Sequence, residues 1–246
     1  MNKDITGKVV SARILKIKSD INPRNVFLRL LSTFEDAYIF CFYTPQTGMW
    51  LGATPELLLK SDKGIYLTMA LAGTRNVGVS DKWDNKNIEE QRLVKEYIAK
   101  CLDKTGYNII IGEQYTKRAG KIEHICNDIY AYPQQKRKLE PKEIETLLKE
   151  LSPTPALGGF PKEFALNMIK RTENFNRAYY GGFMGYVKDT ETFSLYVNLR
   201  SGNVSQKELI LFAGGGITLD SVPEKEWDET ERKLSTLGEI LSVIQK

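Results

Sequence analysis

The chain has a single histidine, His124, among 246 residues. One imidazole argues against histidine-based metal centres and against a Ser-His-Asp triad. Cysteine is scarce as well. Cys41, Cys101 and Cys126 are odd in number and form no CxxC pair, which fits a reducing compartment and argues against zinc. No apolar run has the length that spanning a bilayer requires, and the leading MNKDITGK has no apolar core of a secretion signal. These absences predict a cytoplasmic protein that makes no membrane contact. Charge of one sign is also missing. The net charge of +4 comes from interspersed lysines and acids, so no basic stripe predicts nucleic acid as a partner; a mildly basic balance suits a small anionic ligand. There is no internal repeat and no low-complexity segment. The glycines at 214–216 stand in a row, which reads as a turn between a strand and the last helix, and they do not spell GxGxxG, so dinucleotide binding is rejected.

What is present is an ordinary globular composition, 41% hydrophobic and 27% charged, in a chain long enough to bury a sizeable core. Its length allows one large domain or two small ones. Alternation and β-branched or aromatic runs predict strands at 8–15, 26–31, 37–43, 49–53, 64–71 and 107–111. Three further strands, 177–187, 192–200 and 208–213, read as an antiparallel meander. Helices are predicted at 87–104, 141–151 and 161–171, and from Pro223 onward with Ser221 as a plausible cap. Thr54 and Pro55 read as a helix start that places Glu56 in a first turn. Residues 114–140 show no clear period. Strand runs set apart from helices, without βαβ alternation, predict an α+β fold with large antiparallel sheets covered by helices.

Two helices carry carboxylates where an apolar stripe should continue. In the last helix Glu226, Glu229 and Lys233 lie on one stripe that runs on as Leu237, Ile240, Leu241 and Ile244, while Asp228, Glu231 and Arg232 take the solvent side. Glu90 extends the stripe of Val94, Tyr97, Ile98 and Cys101 in the same way. Charges continuing a buried stripe are costly unless they hold something. Paired carboxylate helices suggest an oxygen-ligated magnesium site. The plainer alternative is a charged first turn that favours the helix dipole. The small-residue corner Ala72-Gly73-Thr74-Arg75 presents backbone N–H groups and a hydroxyl, a simple anion nest. Residues 152–161 form a stiff Pro/Gly segment that suits either a linker or a pocket wall. Lys8, at a strand start, reads by itself as solvated, and His124 reads as a structural residue.

Taken together, these segments resemble the chorismate-binding enzymes. The resemblance rests on residues 7–13 (GKVVSAR), 52–56 (GATPE), 71–75 (LAGTR), Glu90 before Leu93 and Val94, 153–161 (PTPALGGFP), 180–182 (YGG), Arg200, 212–217 (FAGGGI) and 226–230 (EWDET) with Lys233. They follow the family's order over nearly the whole chain, and imply one chorismate-binding catalytic domain spanning 1–246. The TPALGGFP segment is similar to the isochorismate synthase branch, of menaquinone or siderophore type. The Asp-Leu-x-Arg-Asn-Asp-like segment of the aminating branches is replaced here by Val94-Lys-Glu-Tyr-Ile98. The chain departs from the family at Gln91, Val77 and Ser152, and only seven residues precede Lys8. That short start predicts an exposed sheet edge near residues 8–15, with self-association or poor solubility.

The resemblance implies Mg²⁺-dependent conversion of chorismate to isochorismate, with water adding at C2 and the C4 hydroxyl leaving. Lys8 matches the family's base and must be partly neutral. Glu56 matches the acid and must hold a proton at neutral pH, and burial favours the uncharged form of both. Glu90, Glu226 and Glu229 match the metal ligands. Tyr180, Arg200 and Gly214 match positions that receive the enolpyruvyl carboxylate; Ala156, Gly73, Thr74 and Lys233 complete the substrate pocket. Two alternatives stand beside this reading: salicylate synthase or another chorismate-utilising enzyme, and a truncated, non-catalytic chorismate-binding domain.

Overall fold

Strand β1 (Lys8–Lys18) sits inside a six-stranded antiparallel sheet whose order is β2 (Tyr38–Thr44), β3 (Gly48–Thr54), β11 (Ser201–Val204), β12 (Glu208–Ile217), β1 and β8 (Gly159–Phe160). The computed structural model describes residues 7–18, 22–79, 82–120, 122–134, 138–205 and 208–242. Its contacts divide the chain into two units, one of residues 1–55, 157–181 and 198–246 and one of 56–156 and 182–197. The sheet just described belongs to the first.

One face of that sheet carries the first unit's core. Leu209, Leu211 and Ala213 alternate onto it and pack with Val26 and Leu30 of α1 (Pro23–Thr33) and Leu234 of α5 (Pro223–Ser242). The strand expected at 26–31 is therefore a helix. Asn22 caps it, its side chain accepting from Arg24 N, and Pro23 opens it. Val26 and Leu30 are buried four residues apart, whereas Leu28 and Leu31 are exposed, which is a helical period hidden inside a short apolar run.

Helix α4 (Lys162–Thr172) covers the β1–β8 side, burying Ala165 and Ile169. The expected open edge along 8–15 is narrower than predicted. β8 pairs with Lys8 and Val9, Val10 N donates to Gly158 O, Arg177 Nη2 donates to Val10 O, and Ala12 N donates to Glu173 Oε1. Among the described residues, 10–18 have no strand on that side, but Val10 and Ala12 have these other backbone partners there.

The second unit is built on another antiparallel sheet, ordered β6 (Asn108–Ala119), β7 (Ile122–Tyr132), β5 (Ile65–Asn76), β4 (Leu57–Asp62), β10 (Thr192–Val197) and β9 (Phe183–Asp189). Helices α2 (Asn85–Asp103) and α3 (Pro141–Leu151) belong to it. Of the predicted α2 stripe, Val94, Ile98 and Cys101 are buried and Tyr97 is half-buried, and Gln91 joins them: its amide donates to Asn127 Oδ1 and Ala70 O.

Three expectations are corrected here. Glu56 does not open a helix; β3 passes through Pro55 and Glu56 into β4, whose first three leucines are all buried, so neither period shows. The predicted 192–200 strand ends at Val197; residues 198–200 leave it, with Arg200 at φ +49°, and β11 begins at Ser201 in the other sheet, while residues 177–182 are not strand. The 214–216 glycines are not a turn but the end of β12, paired with β1 at Ala12↔Gly214 and Ser11↔Gly215. Among the described residues no helix is long and apolar enough to cross a membrane.

Candidate active site

In the first unit, Lys8, Val10 and Ala12 alternate onto the face of β1 away from the α1–α5 core. Lys8 is only 3% exposed, so the solvated reading of this lysine is overturned. Gly159 sets its backbone: at φ +119°, a Cβ there would stand 2.1 Å from Lys8 O and 2.8 Å from Ala165 Cβ. No side chain fits, so the strand start can approach the 158–160 segment closely.

On the same face Tyr180 stacks on Phe212, centroids 5.2 Å apart, and Phe212 stacks on Trp50 at 5.4 Å. The Tyr180 hydroxyl lies 3.4 Å from where a Cβ on Gly214 would be, so glycine at 214 leaves that hydroxyl room. Tyr180 and Arg200 are both buried. The Arg200 carbonyl accepts from Ala53 N.

Helix α5 contributes the acidic stripe. Glu226 is buried, Glu229 and Lys233 are half-buried, and Asp228, Glu231 and Arg232 are exposed, as the pattern predicted. Side chains at Leu237, Ile240, Leu241 and Ile244 lie outside the described residues. Ser221 Oγ donates to Glu226 Oε1 at 2.9 Å, and Glu226 Oε2 faces Gly215, where a Cβ would come within 3.7 Å. Lys233 Nζ donates to Glu229 Oε1 at 2.7 Å and to Gly214 O at 2.8 Å.

The second unit holds the other predicted residues. Glu56 is 3% exposed. Its carbonyl accepts from Val197 N at 3.0 Å, and Thr154 Oγ1 donates to its Oε1 at 3.2 Å. Ala156 is half-buried at the end of the same Pro-Thr-Pro segment. Gly73 and Thr74 form a bulge in the β5–β7 pairing, with Gly73 at φ +71°. The anion-nest reading needs amending: Thr74 N donates to Asn87 Oδ1 at 3.0 Å, so that N–H already has an acceptor within the protein. His124 Nδ1, 2.7 Å from Gly73 O and 3.3 Å from Thr74 Oγ1, holds the bulge from the other side. Arg75 pairs with Glu123 at 2.8 Å and lies over Trp83. Glu90 is half-buried in the first half of α2.

The three glutamates offer hard oxygen donors, the chemistry Mg²⁺ takes. Among the described residues no three His, Cys, Asp or Glu side chains stand together at metal-holding distance. Glu226 and Glu229 do share one helix stripe, held by Ser221 and Lys233. The sequence reading passed over Thr154, which lay inside a quoted motif; its reading of His124 as structural agrees with the bonds that hold the bulge. It also missed Asn198, whose buried amide has no hydrogen-bond partner among the described residues, as is true of the Ser201 hydroxyl. No local pattern marks either one.

Known proteins match nearly the whole chain. The chain is 34% identical over 250 residues to the salicylate biosynthesis isochorismate synthase of Pseudomonas aeruginosa, covering 97% of this chain and 51% of that protein. It is 27% identical over 257 residues to anthranilate synthase component 1 of Aquifex aeolicus, covering 99% and 50%. It superposes on MenF, the menaquinone-specific isochorismate synthase from Escherichia coli, with a TM-score of 0.85 at 28% identity, covering 97% of this chain and 57% of that one. The chain thus spans about half the length of the curated relatives it matches. The profile described as chorismate binding enzyme matches residues 1–242, and the chain belongs to the chorismate-binding enzyme family.

Proposed function

We propose that the chain converts chorismate to isochorismate, acting as an isochorismate synthase that uses Mg²⁺. The observation that carries this reading is the burial of Lys8 and Glu56, two ionisable residues each 3% exposed. Taking a lysine and a glutamate out of water has an energetic cost, and hydroxyl transfer needs one group to accept a proton and another to give one. Lys8 takes the proton from a water as it adds at C2. Glu56 gives its proton to the departing C4 oxygen, which leaves as water. Tyr180 and Arg200 receive the enolpyruvyl carboxylate beside Gly214, and Lys233 with the Thr74 hydroxyl supplies further donors to the anion. Ala156 leaves room at the pocket wall. Glu90, Glu226 and Glu229 would hold Mg²⁺, which supplies charge neutralisation and positioning at the ring carboxylate. Three free thiols suit a cytoplasmic setting.

The names of the relatives support the choice of reaction within the family without fixing it, since anthranilate synthase stands among them. The test is incubation of the chain with chorismate, with and without Mg²⁺, and chromatography of the product. Isochorismate formed only with Mg²⁺ supports the reading. Salicylate, anthranilate in the presence of ammonia, or no turnover would each replace it, the last by a binding domain without catalysis.

A further inference from the structure

We propose that Thr154 is a positioning residue for Glu56: its hydroxyl fixes the carboxyl group and assigns the acid's proton to Oε2. The inference rests on the reading of Glu56 as the general acid. Its basis is the Thr154 Oγ1 to Glu56 Oε1 hydrogen bond of 3.2 Å, made between two buried side chains 98 residues apart. The local sequence makes Thr154 a stiff donor. Pro153 and Pro155 flank it, the following proline confines its backbone to extended geometry, and a β-branched side chain has little χ1 freedom. Glu56 is the opposite case, a long side chain whose backbone is held by Val197 but whose carboxyl end needs its own restraint.

The chemistry follows from the direction of the bond. A hydroxyl donating to Oε1 makes that oxygen the acceptor, so the acid's proton resides on Oε2. In the transfer step the Oε2–H bond breaks and its proton goes to the C4 oxygen. The C4–O bond breaks with its electron pair going to that oxygen, and water departs. Glu56 is left as a carboxylate, and the same hydroxyl now donates to a charged acceptor, a stronger bond than before. The interaction gains in strength along the reaction, so its loss falls on kcat rather than on KM.

The experiment compares Thr154→Val, which keeps shape and loses the hydroxyl, with Thr154→Ser, which keeps the hydroxyl. Each is made alone, and Thr154→Val is also made in a Glu56→Gln background. Thr154→Val should lower kcat about 10-fold or more, the scale of a hydrogen bond to a charged group, with KM within about 2-fold. Thr154→Ser should recover most of the loss. In the Glu56→Gln background Thr154→Val should cost little further, since the two act as one unit.

Thr154→Val with parental kcat, while Glu56→Gln is inactive, overturns this inference alone. So does Thr154→Ser as impaired as Thr154→Val, which would mark a packing role, or an undiminished loss in the Glu56→Gln background. Glu56→Gln with parental turnover overturns the assignment of Glu56 instead. The infrared carboxyl band that Glu56→Gln removes should shift in Thr154→Val and stay near its parental position in Thr154→Ser, with or without turnover. If Thr154→Val does not fold, Thr154→Ala is read against Thr154→Ser in the same way.

Discussion

Lys233 and Glu229 form an ion pair of 2.7 Å across one helical turn of α5, with side chains only 22% and 19% exposed. The pair ties together two residues proposed for different tasks, an anion donor and a metal ligand. Glutamate at i and lysine at i+4 is the favourable order for a helix, so the pair also holds the stripe in place in the absence of ligands. Glu229→Gln keeps this shape and removes the charge. It should abolish Mg²⁺-dependent turnover and leave the far-UV spectrum and melting temperature near parental values. Unchanged activity at limiting Mg²⁺ would remove Glu229 from the metal set.

Gly159 offers a sharper structural test. A Cβ at this position would overlap Lys8 O at 2.1 Å and crowd Ala165, and φ +119° is a conformation that other residues rarely take. Gly159→Ala should therefore destabilise the fold on the order of 3 kcal/mol or more, strain and overpacking acting together. The midpoint of urea unfolding reads this directly. A midpoint within error of the parental chain would mean that the β1–β8 approach is not as close as described.

How much of this was legible in the chain depends on whether the signal was periodic or spatial. The α2 stripe and the Glu226–Lys233 part of the α5 stripe could be seen because burial there repeats every three to four residues, and the carboxylates stood out for the same reason. The α1 helix was missed because residues 26–31 are a short apolar run, and only the Asn22-Pro23 cap distinguishes helix from strand there. The glycines at 214–216 looked like a turn because turns are where glycine is usually needed; here Gly214 leaves room beside Tyr180. The 192–200 strand stops at Val197, short of the positive φ at Arg200, and composition does not encode where it stops. The segments carrying Lys8 and Glu56 were identified by motif, whereas burial of the two residues depends on the tertiary fold. Thr154 was quoted as part of a motif, but its bond to Glu56 spans 98 residues, and no local pattern carries such a contact.

The cysteines give a prediction with a pH sign. Cys41 is exposed on β2, whereas Cys101 and Cys126 are buried. Burial pushes the Cys126 thiol from 9.0 up to about 11. At pH 8 a thiol reagent should label Cys41 alone in the native chain and all three after denaturation. The native Cys126 thiol keeps its proton to about pH 11 while the unfolded one loses it near 9. The unfolded state therefore releases the proton first. The stability from this group is full below pH 9 and is lost as pH rises toward 11. Melting temperature measured across that window should fall, and Cys126→Ala should flatten its decline. Rapid native labelling of Cys126 would contradict its burial.

The catalytic pair is the most consequential test. Lys8 lies with Val10 and Ala12 on the sheet face where Tyr180 stacks on Phe212, and it is as fully buried as Glu56. Lys8→Ala should lower kcat on the order of 10²-fold or more, the usual scale for removing a general base, and so should Glu56→Gln for the acid. KM should change little in both, because the residues proposed to bind the carboxylates are Tyr180, Arg200 and Lys233. Lys8→Met, which fills the same space without the amine, separates lost chemistry from lost packing. It should be as inactive as Lys8→Ala while melting closer to the parental chain. A small primary amine in the buffer should restore part of the Lys8→Ala activity, since it re-enters the cavity with the missing base. Parental turnover in Lys8→Ala would defeat the mechanism. So would full activity in Lys8→Met, because that residue can accept no proton from water at any pH.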